Sequence, residues 1–265
     1  MGTRRRWGEE LRRGCGGRGW GGELWVTSKL WNDHHAPDLV GKALDQTLED
    51  LGLDYLDLYL MHWPVASSSN GNKIDYIDTW HALTTLQHTS HPPKTLHLGI
   101  CNFSPPQLTR LLLSTESPPA VHQMELHPYL PQPAWLHYHA AHHIHVTAYS
   151  PLANTNPTYH SSSSSPNPDA HPPPLLLANP TVNSIARRRT CTPAQVCLQW
   201  GLSRGTSVVP KSAHAARIRE NFAAPGCALE YEDFRALAGL GAWETRFNNP
   251  SEGWGVGLYE GLDGV

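Results

Sequence analysis

The chain lacks any apolar run near the ~20 residues that a membrane-spanning helix needs, so no span is expected. It also lacks a block of one charge. Its 20 Lys and Arg stand against 23 Asp and Glu, a formal net charge of −3, which recommends neither nucleic acid nor a membrane surface as partner. Paired cysteines are missing too: Cys15, Cys101, Cys191, Cys197 and Cys227 are odd in number, scattered and without CxxC spacing. They read as reduced thiols in a reducing, cytoplasmic compartment. Met1-Gly2 opens a myristoylation pattern, but Arg6 stands where Ser or Thr is required. What remains is a chain of 265 residues, 39% apolar, which suffices for one large domain or two small ones.

Residues 1–22 are rich in Gly and Arg and carry no periodic apolar positions, so a disordered tail is expected there. Glu9, Glu10 and the scarcity of Ser argue against a transit peptide. From residue 23 a strand–helix rhythm sets in. Leu24 to Lys29 reads as a short strand. Residues 37–51 follow with Val40, Ala43, Leu44, Thr47, Leu48 and Leu51 on one helical face, Pro37 near the start and Gly52 just past the end. The stretch Leu56 to Pro64 reads as a buried strand that ends in His62 and is stopped by Pro64. Further strands are expected at 96–102, 120–125, 144–150 and 206–211, with helices between them. Ser104-Pro-Pro-Gln107 and Thr192-Pro-Ala-Gln195 have the form of capping boxes, in which the hydroxyl accepts from the backbone and the Gln side chain reaches back. Residues 154–174 hold five consecutive serines and a Pro run; they read as a disordered loop inside a single domain of residues 23–265, because the rhythm resumes unchanged after them.

Strands alternating with helices imply a parallel sheet. The expected C-terminal strand ends carry Lys29, His62, Asn102, Gln123 with Glu125, Tyr149 with Ser150, and Lys211. In a parallel α/β barrel such ends meet at one mouth, where active sites sit. A doubly wound sheet would want a Gly-rich turn after its first strand. Here the Gly-rich stretch 14–22 precedes a strand, so the fold class expected is an α/β TIM barrel.

Thr27-Ser-Lys-Leu-Trp31, residues 56–64, Gly99-Ile-Cys-Asn-Phe103, Gln123-Met-Glu-Leu-His-Pro-Tyr129, Ala148-Tyr-Ser-Pro-Leu152, Pro193-Ala-Gln195 and Val209-Pro-Lys-Ser212 stand in the order found in the aldo-keto reductases. The chain resembles that family over about residues 23–250. The resemblance implies a TIM (β/α)8 barrel that uses NADP(H), without a Rossmann domain, to reduce aldehydes or ketones to alcohols. It implies catalytic roles for Lys29 and His62, His62 orienting the carbonyl. Asn102 and Gln123 match the residues that hydrogen-bond the nicotinamide carboxamide, and Tyr149 the ring that stacks on the nicotinamide. Ser150 and Leu152 match pyrophosphate-side contacts. Lys211, Ser212 and Arg217 match the grip on the 2′-phosphate, for which a guanidinium fork is suited. Glu220 and Asn221 match the adenine contacts.

The departures are as informative. The family places two strand–helix units before the Thr-Ser-Lys strand, the second supplying a tyrosine proton donor and its aspartate. Residues 1–22 contain neither residue type. The expectation is therefore an incomplete barrel in a truncated chain, with doubtful turnover and two open sheet edges. A monomer is expected from the family, and edge-mediated association is the alternative. The rival to an enzyme is a catalytically inactive NADP(H)-binding or interaction fragment. Cys101 replaces the serine usual before the asparagine. The 17 histidines include His137, His139, His142, His143 and His145, but their spacing on a short helix and a strand scatters the rings, so no metal site is expected.

Overall fold

The computed structural model describes residues 24–66, 74–153, 155 and 173–262. The expected tail at 1–22 and the Ser/Pro-rich loop, apart from residues 155, 173 and 174, lie outside them. Among the described residues, six strands follow one another in sheet order: β1 (Thr27–Leu30), β2 (Leu56–Met61), β3 (Thr95–Cys101), β4 (Val121–Glu125), β5 (His145–Tyr149) and β6 (Ser207–Val209). The β1–β2, β2–β3 and β5–β6 pairs are parallel. Helices connect them: α1 (Pro37–Leu51), α2 (Tyr76–Thr89), α3 (Pro105–Leu113) and α4 (Pro133–Ala141), then α5 (Pro180–Arg189) with α6 (Pro193–Ser203) between β5 and β6. After β6 come α7 (Ala215–Phe222), α8 (Tyr231–Ala238) and the short α9 (Ser251–Trp254). The chain divides into two compact units, one running to Phe103 and including Gln107–His122, the other made of Ser104–Pro106 and the residues from Gln123 onward.

In the first unit β2 is the centre. Leu56, Leu58, Tyr59, Leu60 and Met61 are all buried, as expected of a parallel strand covered on both faces. Asp57 is the one residue of the strand left half-buried, and its carboxylate accepts the Val26 N–H at 2.7 Å. α1 has Pro at its start, and Gly52 closes it in the left-handed conformation (φ 67°), its N–H returning to the Glu49 carbonyl. Its inner face buries Val40, Leu44, Thr47 and Leu48. α2 starts where the Asp75 carboxylate accepts the Ile77 N–H at 3.0 Å, and buries Trp80 and Leu83. Gly99 lies where β2, β3 and β4 crowd: a Cβ there would come within 2.4 Å of the Val121 carbonyl oxygen and 2.6 Å of Leu60 Cδ2.

In the second unit the predicted capping box forms. Thr192 Oγ1 accepts the Gln195 N–H at 3.2 Å, and the Gln195 side chain accepts the Thr192 N–H at 3.0 Å. The buried carboxylate of Asp233 ties α8 to the end of α5 through Arg188 at 2.5 Å and Arg189 at 2.6 Å. Burial alone would raise that carboxyl's pKa; the Glu230 N–H and the two guanidiniums hold it below the ordinary aspartate range.

The cysteines require a correction. Cys191 and Cys227, 36 residues apart, are joined in a disulfide with their Cα atoms 5.8 Å apart. Sequence spacing could not show this, because the pairing follows from the α5–α6 turn meeting the turn after α7. The inference from scattered cysteines to a wholly reduced, cytoplasmic chain loses its basis. Cys101 and Cys197 are free thiols, both buried, and burial pushes each up to about 12, so they stay neutral. Among the described residues no helix is long and apolar enough to cross a membrane, and no group of three or more His, Cys, Asp or Glu is arranged to hold a metal.

Candidate functional site

Lys29, His62 and Asn102 belong to the first unit. The β1–β2 register sets Lys29 opposite Leu60, and the β2–β3 register sets Leu60 opposite Gly99. Side chains two apart on a strand share a face, so Lys29, His62 and Cys101 lie on the same side of three neighbouring strands. The arrangement is felt electrostatically: the Lys29 ammonium pulls against the burial that raises the Cys101 thiol. His62 sits just past β2, its N–H donating to the Leu30 carbonyl at 3.1 Å. Its ring meets Trp31 edge-on at 4.9 Å and stacks on Trp63 at 6.2 Å. It is thus a half-buried imidazole in an aromatic setting rather than a ring in the core.

Asn102 takes the left-handed conformation (φ 63°), which asparagine tolerates better than other side chains. Its amide donates to the His62 carbonyl at 3.0 Å and to Cys101 Sγ at 3.1 Å. The serine-to-cysteine departure therefore leaves an acceptor in place beside this amide, a weaker one. His122 supports the same turn by accepting the Phe103 N–H at 3.1 Å.

The remaining predicted residues belong to the second unit. Seven of them, Ser150, Leu152, Lys211, Ser212, Arg217, Glu220 and Asn221, line one cavity of about 610 Å³. Their chain positions explain the convergence. Ser150 to Ala153 turn sharply at the end of β5, with left-handed Ser150 (φ 47°) and Ala153 (φ 53°). Lys211 and Ser212 follow β6, and α7 contributes the other three. Lys211 and Arg217 are exposed cations with hydroxyls near them, a donor set that suits a phosphate ester. Glu220 is held from behind: Thr192 Oγ1 donates to its carboxylate at 2.5 Å and Gln195 Nε2 to its carbonyl at 3.1 Å. Those two hydrogen bonds matter because α7 buries none of its own side chains.

Gln123 is buried on β4 and Tyr149 half-buried at the end of β5; neither lines this cavity. What the sequence reading missed is the support behind Tyr149. Glu125, wholly buried, accepts from His127 Nε2 at 2.9 Å and from the backbone N–H groups of Phe247 at 2.8 Å and Asn248 at 2.9 Å. Asn248 Nδ2 in turn donates to the Tyr149 hydroxyl at 3.2 Å. A carboxylate in a strand otherwise made for burial was the visible signal, but its backbone partners, Phe247 and Asn248, are more than 120 residues away.

With this geometry in view, comparison with known proteins is specific. The model of the Aldo/keto reductase family matches residues 5–242. An uncharacterized oxidoreductase of Schizosaccharomyces pombe is 41% identical over 241 residues, covering 85% of this chain and 70% of the relative. A second oxidoreductase of that yeast is 42% identical, and there the chain spans 62% of the relative's length. An NADPH-dependent D-xylose reductase of Meyerozyma guilliermondii is 38% identical, covering 86% of this chain and 75% of the relative. Among solved structures, an aldose reductase from Giardia lamblia superposes with a TM-score of 0.82 at 29% identity over 97% of this chain and 86% of its own. A Bombyx mori aldo-keto reductase in complex with NADP gives 0.81 at 29% identity, over 97% of this chain and 81% of its own. Strand–helix alternation, motif order and these likenesses agree on an α/β barrel fold, and the chain belongs to the aldo/keto reductase family.

Proposed function

We propose that the chain binds NADP(H) and acts on a small carbonyl or alcohol substrate. The observation that carries this reading is the cavity of about 610 Å³ that gathers Ser150, Leu152, Lys211, Ser212, Arg217, Glu220 and Asn221. Its two exposed cations fit a 2′-phosphate, and its volume and mixed lining fit a nucleotide. The family resemblance supports the same assignment, and the relatives that carry NADP or NADPH in their names agree with it. When bound, the reduced nicotinamide supplies a hydride. In this reading Asn102 and Gln123 orient its carboxamide, Tyr149 lies against its ring, and His62 orients the substrate carbonyl beside Lys29.

The proton donor is where the reading divides. No tyrosine and no aspartate precede Glu23 in this chain. The second reading is a protein that holds NADP(H) without efficient turnover. Two measurements on the same preparation separate them: fluorescence titration with NADPH, and NADPH oxidation in the presence of glyceraldehyde or a nitrobenzaldehyde. Binding with turnover supports the reductase. Binding without turnover supports the non-catalytic reading, and no binding overturns both. Arg217→Ala is expected to weaken NADPH by roughly tenfold while leaving NADH nearly unchanged, because only the former carries the 2′-phosphate.

A further inference from the structure

Glu125 has an unusual position. It lies in a strand whose five residues are all buried, and its side chain is 0% exposed. A buried carboxylate is costly unless its lone pairs are filled, and here they are. One oxygen accepts from His127 Nε2 and the Phe247 N–H, the other from the Asn248 N–H. Burial alone would raise its pKa; His127, Arg246 and the Phe247 N–H hold it below the ordinary glutamate range.

The partners show what this ion is for. Phe247 and Asn248 belong to a segment with no regular structure of its own, which Glu125 grips by its backbone. The same segment is tied at two further points: Tyr259 donates its hydroxyl to the Asn248 carbonyl at 3.1 Å, and the Arg246 guanidinium lies over the Tyr259 ring at 3.9 Å. So located, Asn248 reaches the Tyr149 hydroxyl at 3.2 Å. The backbone of the same tyrosine is fixed from β4, since its carbonyl accepts the N–H of Leu126, the residue after Glu125, at 3.3 Å. Tyr149 directly precedes Ser150, the first residue of the cavity wall.

We propose that Glu125 is a positioning residue for the dinucleotide, fixing the Tyr149 ring at the cavity's edge through Asn248. The proposal rests on the NADP(H) reading above and goes beyond it by naming what aligns the nicotinamide end independently of the phosphate end. A glutamine at 125 cannot substitute. Whichever way its amide turns, an NH2 group faces a backbone N–H, donor against donor. The segment holding Asn248 would lose its anchor, while Lys211 and Ser212 after β6 and Arg217 on α7 would keep their places.

The test compares two ligands on the full chain. NADPH uses both ends of the site, whereas adenosine 2′,5′-bisphosphate lacks the nicotinamide and uses only the phosphate end. E125Q is expected to weaken NADPH about tenfold and the bisphosphate by less than about twofold, because the lost interactions are charge-assisted hydrogen bonds. Asn248→Ala, which leaves the buried carboxylate satisfied, is expected to show the same split at about threefold, and it carries the test alone if E125Q does not fold. Equal weakening of both ligands, or no change in either, overturns the positioning role and leaves the cofactor reading standing. Failure of the wild-type chain to bind either ligand overturns the cofactor reading and the positioning role together.

Discussion

His35 and His139 are both wholly buried, and burial pushes each imidazole down to about 4. His139 donates Nδ1–H to the Trp135 carbonyl at 2.6 Å, whereas neither ring nitrogen of His35 meets a partner among the described residues. An unfolded histidine takes up its proton near pH 6.5, well before these folded ones do. Their contribution is therefore fully present above about pH 6.5, falls as the pH is lowered towards 4, and is gone below that. Urea unfolding at pH 7 and pH 4.5 is expected to show a loss of about 2 to 3 kcal/mol attributable to His35, and His35→Leu should lose correspondingly less across that interval. At this scale the sequence was partly legible. Which histidine rings lie in the core depends on helix packing that spacing does not encode. The roles expected of Lys29 and His62 came from motif order; their common face follows from strand register, which only the folded sheet supplies.

At the scale of elements, local chemistry was written plainly. Pro37 and Gly52 bracket α1 at the residues expected, and the Thr192–Gln195 box opens α6. The helices after α7 were not anticipated, because α8 is held by charge rather than by a broad apolar stripe: Asp233 and Leu237 are the residues it buries. β3 shows how an element can depend on one absent atom. Gly99 stands against the Val121 carbonyl, and backbone cannot yield as a side-chain tip can. Gly99→Ala is expected to cost about 2 kcal/mol or more, read as a lower urea midpoint with an unchanged denaturant slope. Little or no change would mean that β3 and β4 separate more readily than their packing implies.

For the molecule as a whole, the order of motifs announced the barrel-type alternation, and the cavity residues scattered from 150 to 221 were nameable before any of them was seen to meet. The disulfide was not. Cys191 lies in the turn just before Thr192, the residue that holds Glu220, and Cys227 follows the helix that Glu220 belongs to. That helix, α7, has no buried side chain to fix it. In the proposed reading, the bridge and the nucleotide share the task of locating Arg217, Glu220 and Asn221, and reduction and binding become thermodynamically coupled. A dithiol that reduces the bridge, itself oxidised to a disulfide, should cost the chain up to about 4 kcal/mol of stability for a loop of this length, measured as a lower melting temperature. By reciprocity, the factor by which reduction weakens NADPH must equal the factor by which NADPH makes the bridge harder to reduce. Equal affinities in the oxidised and reduced protein would show the bridge to be a bystander. Unequal ones would make the thiol balance of its surroundings a second input to how much cofactor this protein holds.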